Sequence, residues 1–209
     1  EFGVDEINRD KKVKISLSKL GIEFDVVDDQ TIIPVEKITN KQGNGYLNFT
    51  YYRKQWDLIF PTLYMGIPSP IATPPTIDIS SDDVPLEIEG FKNVDFIDHW
   101  LPGESEAIQR RDSFLDSSVH NYDKERDFPI LDSTSTLSPW LAVGAISPLM
   151  CLFPLIENMG SDPTTWPIGA RTWQGELVWR DFYRQLMWNN PRVSKNKPLR
   201  QWTSKISWR

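Results

Sequence analysis

The chain has 209 residues, of which 25% are charged and 39% hydrophobic, and a formal net charge of −6. That balance describes a globular chain long enough to bury a sizeable core, and it excludes a disordered one. No apolar run approaches the ~20 residues of a membrane helix, and the opening EFGVDEINRDKKVK is too polar for a signal peptide.

Residues 5–20 carry Ile7, Val13, Leu17 and Leu20 at helical spacing and meet a Gly21 stop. IEFDVV (22–27) then predicts a short strand, and TIIP (31–34) a second. Helix, glycine turn and apolar strand form the second half of a β-α-β unit, so the chain is expected to open inside a parallel α/β sheet as a fragment of it. YLNFTYYRKQWDLIF predicts a helix over 46–60. Residues 61–102 hold seven of the sixteen prolines, which predicts a linker with an exposed acidic stretch, DISSDDVPLEIEG. From about Glu104 onward the patterns are helical.

Ser138-Pro139 and Ser147-Pro148 repeat one logic. A serine hydroxyl suits the N-cap, and proline suits the first helical position because its missing N–H is no loss there. One helix is therefore expected from Pro139 to about Gly144 and another from Pro148. A further helix, TWQGELVWRDFYRQLMWNN (172–190), is closed by Pro191.

Three features carry chemistry. Ser133, Thr134, Ser135 and Thr136 stand in a row before the first Ser-Pro helix. They read either as a plain hydroxyl-rich loop or as donors for an anion such as phosphate. On helix 172–190, Val178, Phe182 and Leu186 form an apolar stripe, while Trp173, Glu176, Trp179, Arg180 and Tyr183 share another arc. That arc is either an ion pair with packed neighbours or a face for a flat, heteroatom-rich ligand. Charge is also segregated: residues 171–209 hold nine Lys/Arg against two acids, a net of +7, so the rest carries −13. Six of the nine tryptophans fall in the last 44 residues, and RVSKNKPLRQWTSKISWR interleaves Trp202 and Trp208 with basic residues. The end of the chain is either a solvated basic face or a track for a polyanion backbone.

Cys151 sits alone in the apolar MCLF and reads as a small buried hydrophobe. With one cysteine, and with His99 and His120 apart in polar segments, no metal ligand and no nucleophilic triad is assigned.

YDKERDFPILDSTSTLSPWLAVGAISP followed by ELVWRDFYRQLM resembles the flavin-binding region of the DNA photolyase/cryptochrome family, closest to class I cyclobutane pyrimidine dimer photolyases. The resemblance continues through NNPRVSKNKPLRQWTSKISWR and, more weakly, back through GNGYLNFTYYRKQW to VDEINRDKKV. It implies an α/β plus all-α fold: 1–60 as the C-terminal part of a parallel, Rossmann-like α/β antenna domain, 61–104 as an interdomain linker, and 105–209 as the N-terminal part of a helical FAD-binding domain.

The resemblance also implies roles. Tyr122, Thr134, Ser135, Thr136, Leu137, Ser138, Trp173, Glu176 and Arg180 would hold FAD, the hydroxyl segment at its phosphates, and Arg126 would be an ion-pair partner near the flavin. The helix from Glu176 through Leu177, Val178, Trp179, Arg180, Asp181, Phe182 and Tyr183 would face damaged DNA. Glu176 would hydrogen-bond the flipped dimer and Trp179 would stack on it. A folate (methenyltetrahydrofolate) antenna would use Asn44, although the family's acidic residue two positions on is missing here.

The activity so implied is a deoxyribodipyrimidine photo-lyase, a carbon-carbon lyase acting on ultraviolet-damaged DNA that contains pyrimidine dimers. A cytoplasmic monomer is expected, away from membranes and nucleoid-associated if bacterial. Two other readings stand beside it: a cryptochrome-type blue-light photoreceptor without repair, and a flavin-free, tryptophan-rich nucleic-acid module.

Overall fold

In the computed structural model, which describes residues 2–63, 80, 82, 83, 85, 89, 90 and 100–207, seven α-helices are joined by short 3-10 turns, and none of the described residues lies in a strand. The first helix, α1 (Val4–Lys19), has Asp5 and Glu6 in its first turn and Lys19 in its last, each on the favourable end of the helix dipole. Gly21, at φ +71°, ends it in the left-handed conformation expected of a glycine stop, with the Ile22 N–H donating to the Leu17 carbonyl at 3.0 Å.

The two predicted strands are not formed. Ile22, Val26 and Val27 are exposed, with no neighbouring strand among the described residues to receive their backbone groups. At TIIP the reason is specific: the Ile32 and Ile33 N–H groups donate to Oδ2 of Asp181, at 3.0 and 3.5 Å. A buried carboxylate takes the bonds that a sheet ladder would have used.

Helix α2 (Phe49–Leu63) begins later than residue 46 because the Asn48 side chain accepts from the Thr50 N–H at 2.9 Å and marks the boundary. It buries Tyr52, Trp56 and Phe60, one per turn. Pro61 lies inside its last turn, so the first three residues of the predicted linker, 61–63, are helical. Most of 61–102 lies outside the described residues, as do His99 and Trp208.

The second half is helical as expected: α3 (Glu104–Ser117), a 3-10 turn at Val119–Asn121, α4 (Tyr122–Glu125), α5 (Ser138–Val143), α6 (Pro148–Met159) and α7 (Ile168–Asn189). The two Ser-Pro steps differ. Ser147 caps α6, its Oγ accepting from the Met150 N–H at 3.2 Å. Ser138 is instead the first residue of α5, with Leu137 at the cap position and no side-chain capping bond. Gly144, at φ +77°, ends α5 as predicted. Helix α7 starts at Ile168, four residues before 172. Cys151 is fully buried in α6, and burial pushes its thiol up to about 12.

One buried cluster joins both halves of the chain. Ile33, Ile38, Tyr52, Trp56 and Phe60 pack in it together with Phe114, Leu152, Trp173, Val178 and Phe182. Three buried polar side chains of α7 stitch the halves together. Gln174 Oε1 accepts from Arg53, and Asp181 takes the Trp56 indole N–H at 3.2 Å besides Ile32 and Ile33. Gln185 Oε1 accepts from the Tyr46 N–H at 3.1 Å, while its amide donates to the Ile38 carbonyl.

Candidate functional site

The exposed part of α7 borders a cleft of about 390 Å³ lined by Phe49, Arg53, Asp57, Arg126, Arg171, Thr172, Gly175, Glu176 and Trp179, with Ile168 at its edge. Gly175 leaves room for Arg53: a Cβ on it would stand 3.2 Å from the guanidinium, which reaches from α2 to Gln174 and would have to shift by a few tenths of an ångström. Glu176 is bonded to Arg126, whose guanidinium lies 6.0 Å from the Tyr122 ring. Burial comes first among the causes that raise the Tyr122 phenol, and the Glu176 charge adds to it. Arg53 is paired with Asp57 at 2.8 Å one turn along α2, and burial lowers its guanidinium from the usual range. With three arginines against two acids, the cleft has an excess of positive charge and one broad indole plane, Trp179.

Trp179 is half-buried. Phe49 lies against it with ring centroids 3.5 Å apart and planes 7° from parallel, and Tyr183 stands 5.6 Å away on the outer surface. Glu176, Trp179 and Tyr183 therefore reach the surface from the predicted DNA-facing helix. Leu177, Val178, Asp181 and Phe182 do not: they are at most 5% exposed, because this side of α7 closes the core, and they cannot touch a nucleic acid. Arg180 donates to the carbonyls of Gln30 and Leu141 and does not line the cleft. Trp173, placed by spacing on the same arc, is buried against Phe114 at 5.1 Å.

The hydroxyl segment lies at the other end of a chain of contacts. Ser133 Oγ donates to the Glu125 carbonyl at 3.1 Å, which fixes the loop to the end of α4 next to Arg126. Tyr122, the 133–136 segment and Glu176 are thus brought into one connected region through Glu125 and Arg126. Within the segment, Ser133 and Leu137 are buried, Thr134 and Ser135 half-buried, and Thr136 and Ser138 exposed. Leu137 can offer a ligand its backbone alone. The Thr134, Ser135 and Ser138 hydroxyls donate to no protein acceptor among the described residues. That donor set fits an anionic, phosphate-bearing group.

Asn44 is elsewhere. Its N–H donates to Asn40 Oδ1 at 3.0 Å in a tight turn, and it shares a neutral cup with Tyr46, Tyr51, Asn189 and Asn190 that contains none of the residues expected at the flavin. In the basic end, Trp202 is 60% exposed, and Ser194 is tied back to α1 by the Val4 N–H at 3.1 Å.

Arg53, Asp57 and Arg171 were not among the residues the sequence singled out. The Arg53/Asp57 spacing within YYRKQWD was the available signal, since residues four apart on a helix meet. Arg110, which gathers the hydroxyl loop, carried no such signal because its partners lie 22–26 residues away.

The family model described as DNA photolyase matches residues 1–75. The deoxyribodipyrimidine photo-lyase of Vibrio cholerae is 29% identical over 210 residues, covering all of this chain and 44% of that protein. Those of Buchnera aphidicola from Acyrthosiphon pisum and of Escherichia coli are 32% and 30% identical over 211 residues, again covering the whole chain and 43% of each relative. A bacterial class III photolyase from Agrobacterium tumefaciens superposes with a TM-score of 0.75 at 25% identity, over 100% of this chain and 43% of that one. The chain thus spans less than half the length of the relatives it matches. Its whole length aligns with these deoxyribodipyrimidine photo-lyases and its helices are arranged as in the photolyase structure, so the chain is similar throughout to part of a DNA photolyase.

Proposed function

We propose that the chain serves a light-dependent DNA repair enzyme, a deoxyribodipyrimidine photo-lyase, and supplies part of its FAD site and part of its damage-binding wall. The observation that carries this reading is the meeting of Arg126, Glu176 and Trp179 at one positively charged cleft, joined through Glu125 to a loop of free hydroxyls. In the same proposal, residues 1–60 end an antenna domain, 61–104 connect, and 105–209 begin the flavin-binding domain.

FAD fits the residues present: Thr134, Ser135 and Ser138 would hold its diphosphate, and Tyr122 with the Arg126–Glu176 pair would border its other end. When bound, FAD supplies the light-driven electron that opens the cyclobutane ring. This chain's residues bind and orient. Trp179 offers a plane on which an extruded base can stack, a contact worth about 1–3 kcal/mol per base. Glu176 presents a carboxylate to the base edge and is held in place by Arg126. Arg53 and Arg171 attract the phosphate backbone, an attraction that weakens with salt.

The test uses the complete protein encoded by the reading frame that carries this chain. Pyrimidine dimers remaining in ultraviolet-damaged DNA are counted after incubation in blue light and in darkness. Loss of dimers in light alone supports the proposal, and Trp179→Ala should reduce it. A flavin-loaded protein that leaves dimers intact in light would sink the repair reading and leave a photoreceptor.

A further inference from the structure

We infer that Arg110 of α3 is the positioning residue of the flavin site: it holds the 132–136 loop in the shape that receives the diphosphate, and does so without touching the cofactor. The inference rests on the reading that Thr134 to Ser138 hold that diphosphate.

One guanidinium collects acceptors from a single loop. Its Nε donates to the Ser135 carbonyl at 3.0 Å and to Thr136 Oγ1 at 2.9 Å. Nη2 donates to the Thr134 carbonyl and to Asp132 Oδ1, both at 2.8 Å, and Nη1 lies 3.4 Å from Asp132 Oδ2. Four of the five N–H groups of the planar fork are thereby engaged, and its charge is matched by Asp132, whose carboxyl Arg110 holds below the usual range through that hydrogen bond. A guanidinium whose charge is paired and whose donors are mostly engaged serves the loop.

Its effect is on the peptides. In a trans peptide the carbonyl and the N–H of one unit point opposite ways. The Thr134 and Ser135 carbonyls face Arg110, so the N–H groups of Ser135 and Thr136 face away from it. Neither donates to a protein acceptor among the described residues. Thr136 is also one of two non-glycine residues with positive φ among those described, at +52°, and Leu137 after it is right-handed at φ −76°, ψ −5°. Such alternation turns successive N–H groups into an anion-binding concavity. A β-branched residue resists the left-handed region and stays there only where its surroundings enforce it. Here Arg110 grips the Thr136 hydroxyl and the carbonyl just before it.

The test compares two flavins in the complete protein: FAD, and riboflavin, which has no phosphate. Binding is read by flavin fluorescence in the wild type, Arg110→Gln, Arg110→Lys and the double variant Arg110→Gln/Thr136→Gly. Arg110→Gln should weaken FAD about tenfold, the factor expected if the loop keeps its shape a tenth of the time, with riboflavin unchanged within about twofold. Arg110→Lys should fall between, because an ammonium cannot span both sides of the loop. Glycine at 136 adopts the left-handed backbone unaided, so the double variant should recover part of the FAD affinity. Unchanged FAD binding in Arg110→Gln, or an equal loss for both flavins without recovery, overturns the role of Arg110. A wild type that prefers FAD no more than riboflavin, with Ser135→Ala also silent, overturns instead the diphosphate reading beneath it.

Discussion

Phe49 of α2 lies flat on Trp179 of α7, with centroids 3.5 Å apart and planes within 7°. The stack fixes the indole at the cleft wall and covers one of its faces, while Tyr183 stands 5.6 Å away at 24° to the ring. Phe49→Leu removes the ring but keeps an apolar contact. It should lower stability by about 0.5–1.5 kcal/mol, the worth of an aromatic pair beyond its area. It should also weaken binding of dimer-containing DNA severalfold, because Trp179 loses its fixed orientation. A urea titration and a DNA titration check the two parts separately.

Asp181 makes stability depend on pH. Burial pushes its carboxyl up to about 7, against the pull of the Trp56, Ile32 and Ile33 donors and of Arg180. The Asp181 charge in turn adds to the burial that raises the Tyr52 phenol of α2 out of the working range. Between the ordinary value of 3.8 and about 7, the native state holds a proton that the unfolded state has released. Stability should therefore fall as pH rises through that window, by up to about 1.4 kcal/mol per pH unit. Asp181→Asn keeps an acceptor oxygen and cannot ionise. Its profile over the same window should be flat by comparison, as denaturant midpoints from pH 5 to 8 would show.

The Arg126–Glu176 pair is built for placement more than for stability. Its side chains are 37% and 44% exposed, so water and salt screen it. Arg126→Gln should change the unfolding free energy by less than about 1 kcal/mol. The same substitution frees Glu176 to move and should lower the repair yield far more than that change in stability suggests. A coupling energy near zero for repair in the Arg126→Gln/Glu176→Gln cycle would show that the pair does not act as a unit.

Gly169 is where α7 meets the 3-10 turn at Val119–Asn121. A Cβ there would lie 2.2 Å from the Val119 carbonyl oxygen and 2.6 Å from that of His120. Both obstacles are backbone, which cannot swing aside. Gly169→Ala should destabilise by about 1–3 kcal/mol although alanine is the better helix former. The thermal midpoint measures it, and a stabilised variant would show that the turn yields.

Periodicity and punctuation located the helices well, because those signals are local. Gly21, Gly144 and Ser147 do what their types predict, and Tyr52, Trp56 and Phe60 recur at the interval a buried face requires. The errors come from partners distant in sequence. TIIP looks like a strand until Asp181, about 150 residues away, takes its N–H groups. Trp173 and Glu176 share an arc on a wheel, but Phe114 covers only the first. Asp181 looked like a surface acid on a DNA-facing helix, since nothing in ELVWRDFYRQ reveals the Trp56 indole waiting for it. Glu176 and Trp179 do meet at one cleft, because residues three apart share a helix face whatever that helix packs against.

The buried cluster that runs from Ile33 and Trp56 to Trp173 and Phe182 has a consequence for how the molecule can be divided. A peptide bond cut between α2 and α3 would sever the backbone but not the core. The two pieces should stay together on a sizing column and separate only in denaturant. Mixed after separation, they should reassemble at a rate proportional to the concentration of each. The covalent link between the two pieces would then serve to raise a local concentration, and the activity proposed above could be made conditional on the reunion of two separately supplied polypeptides.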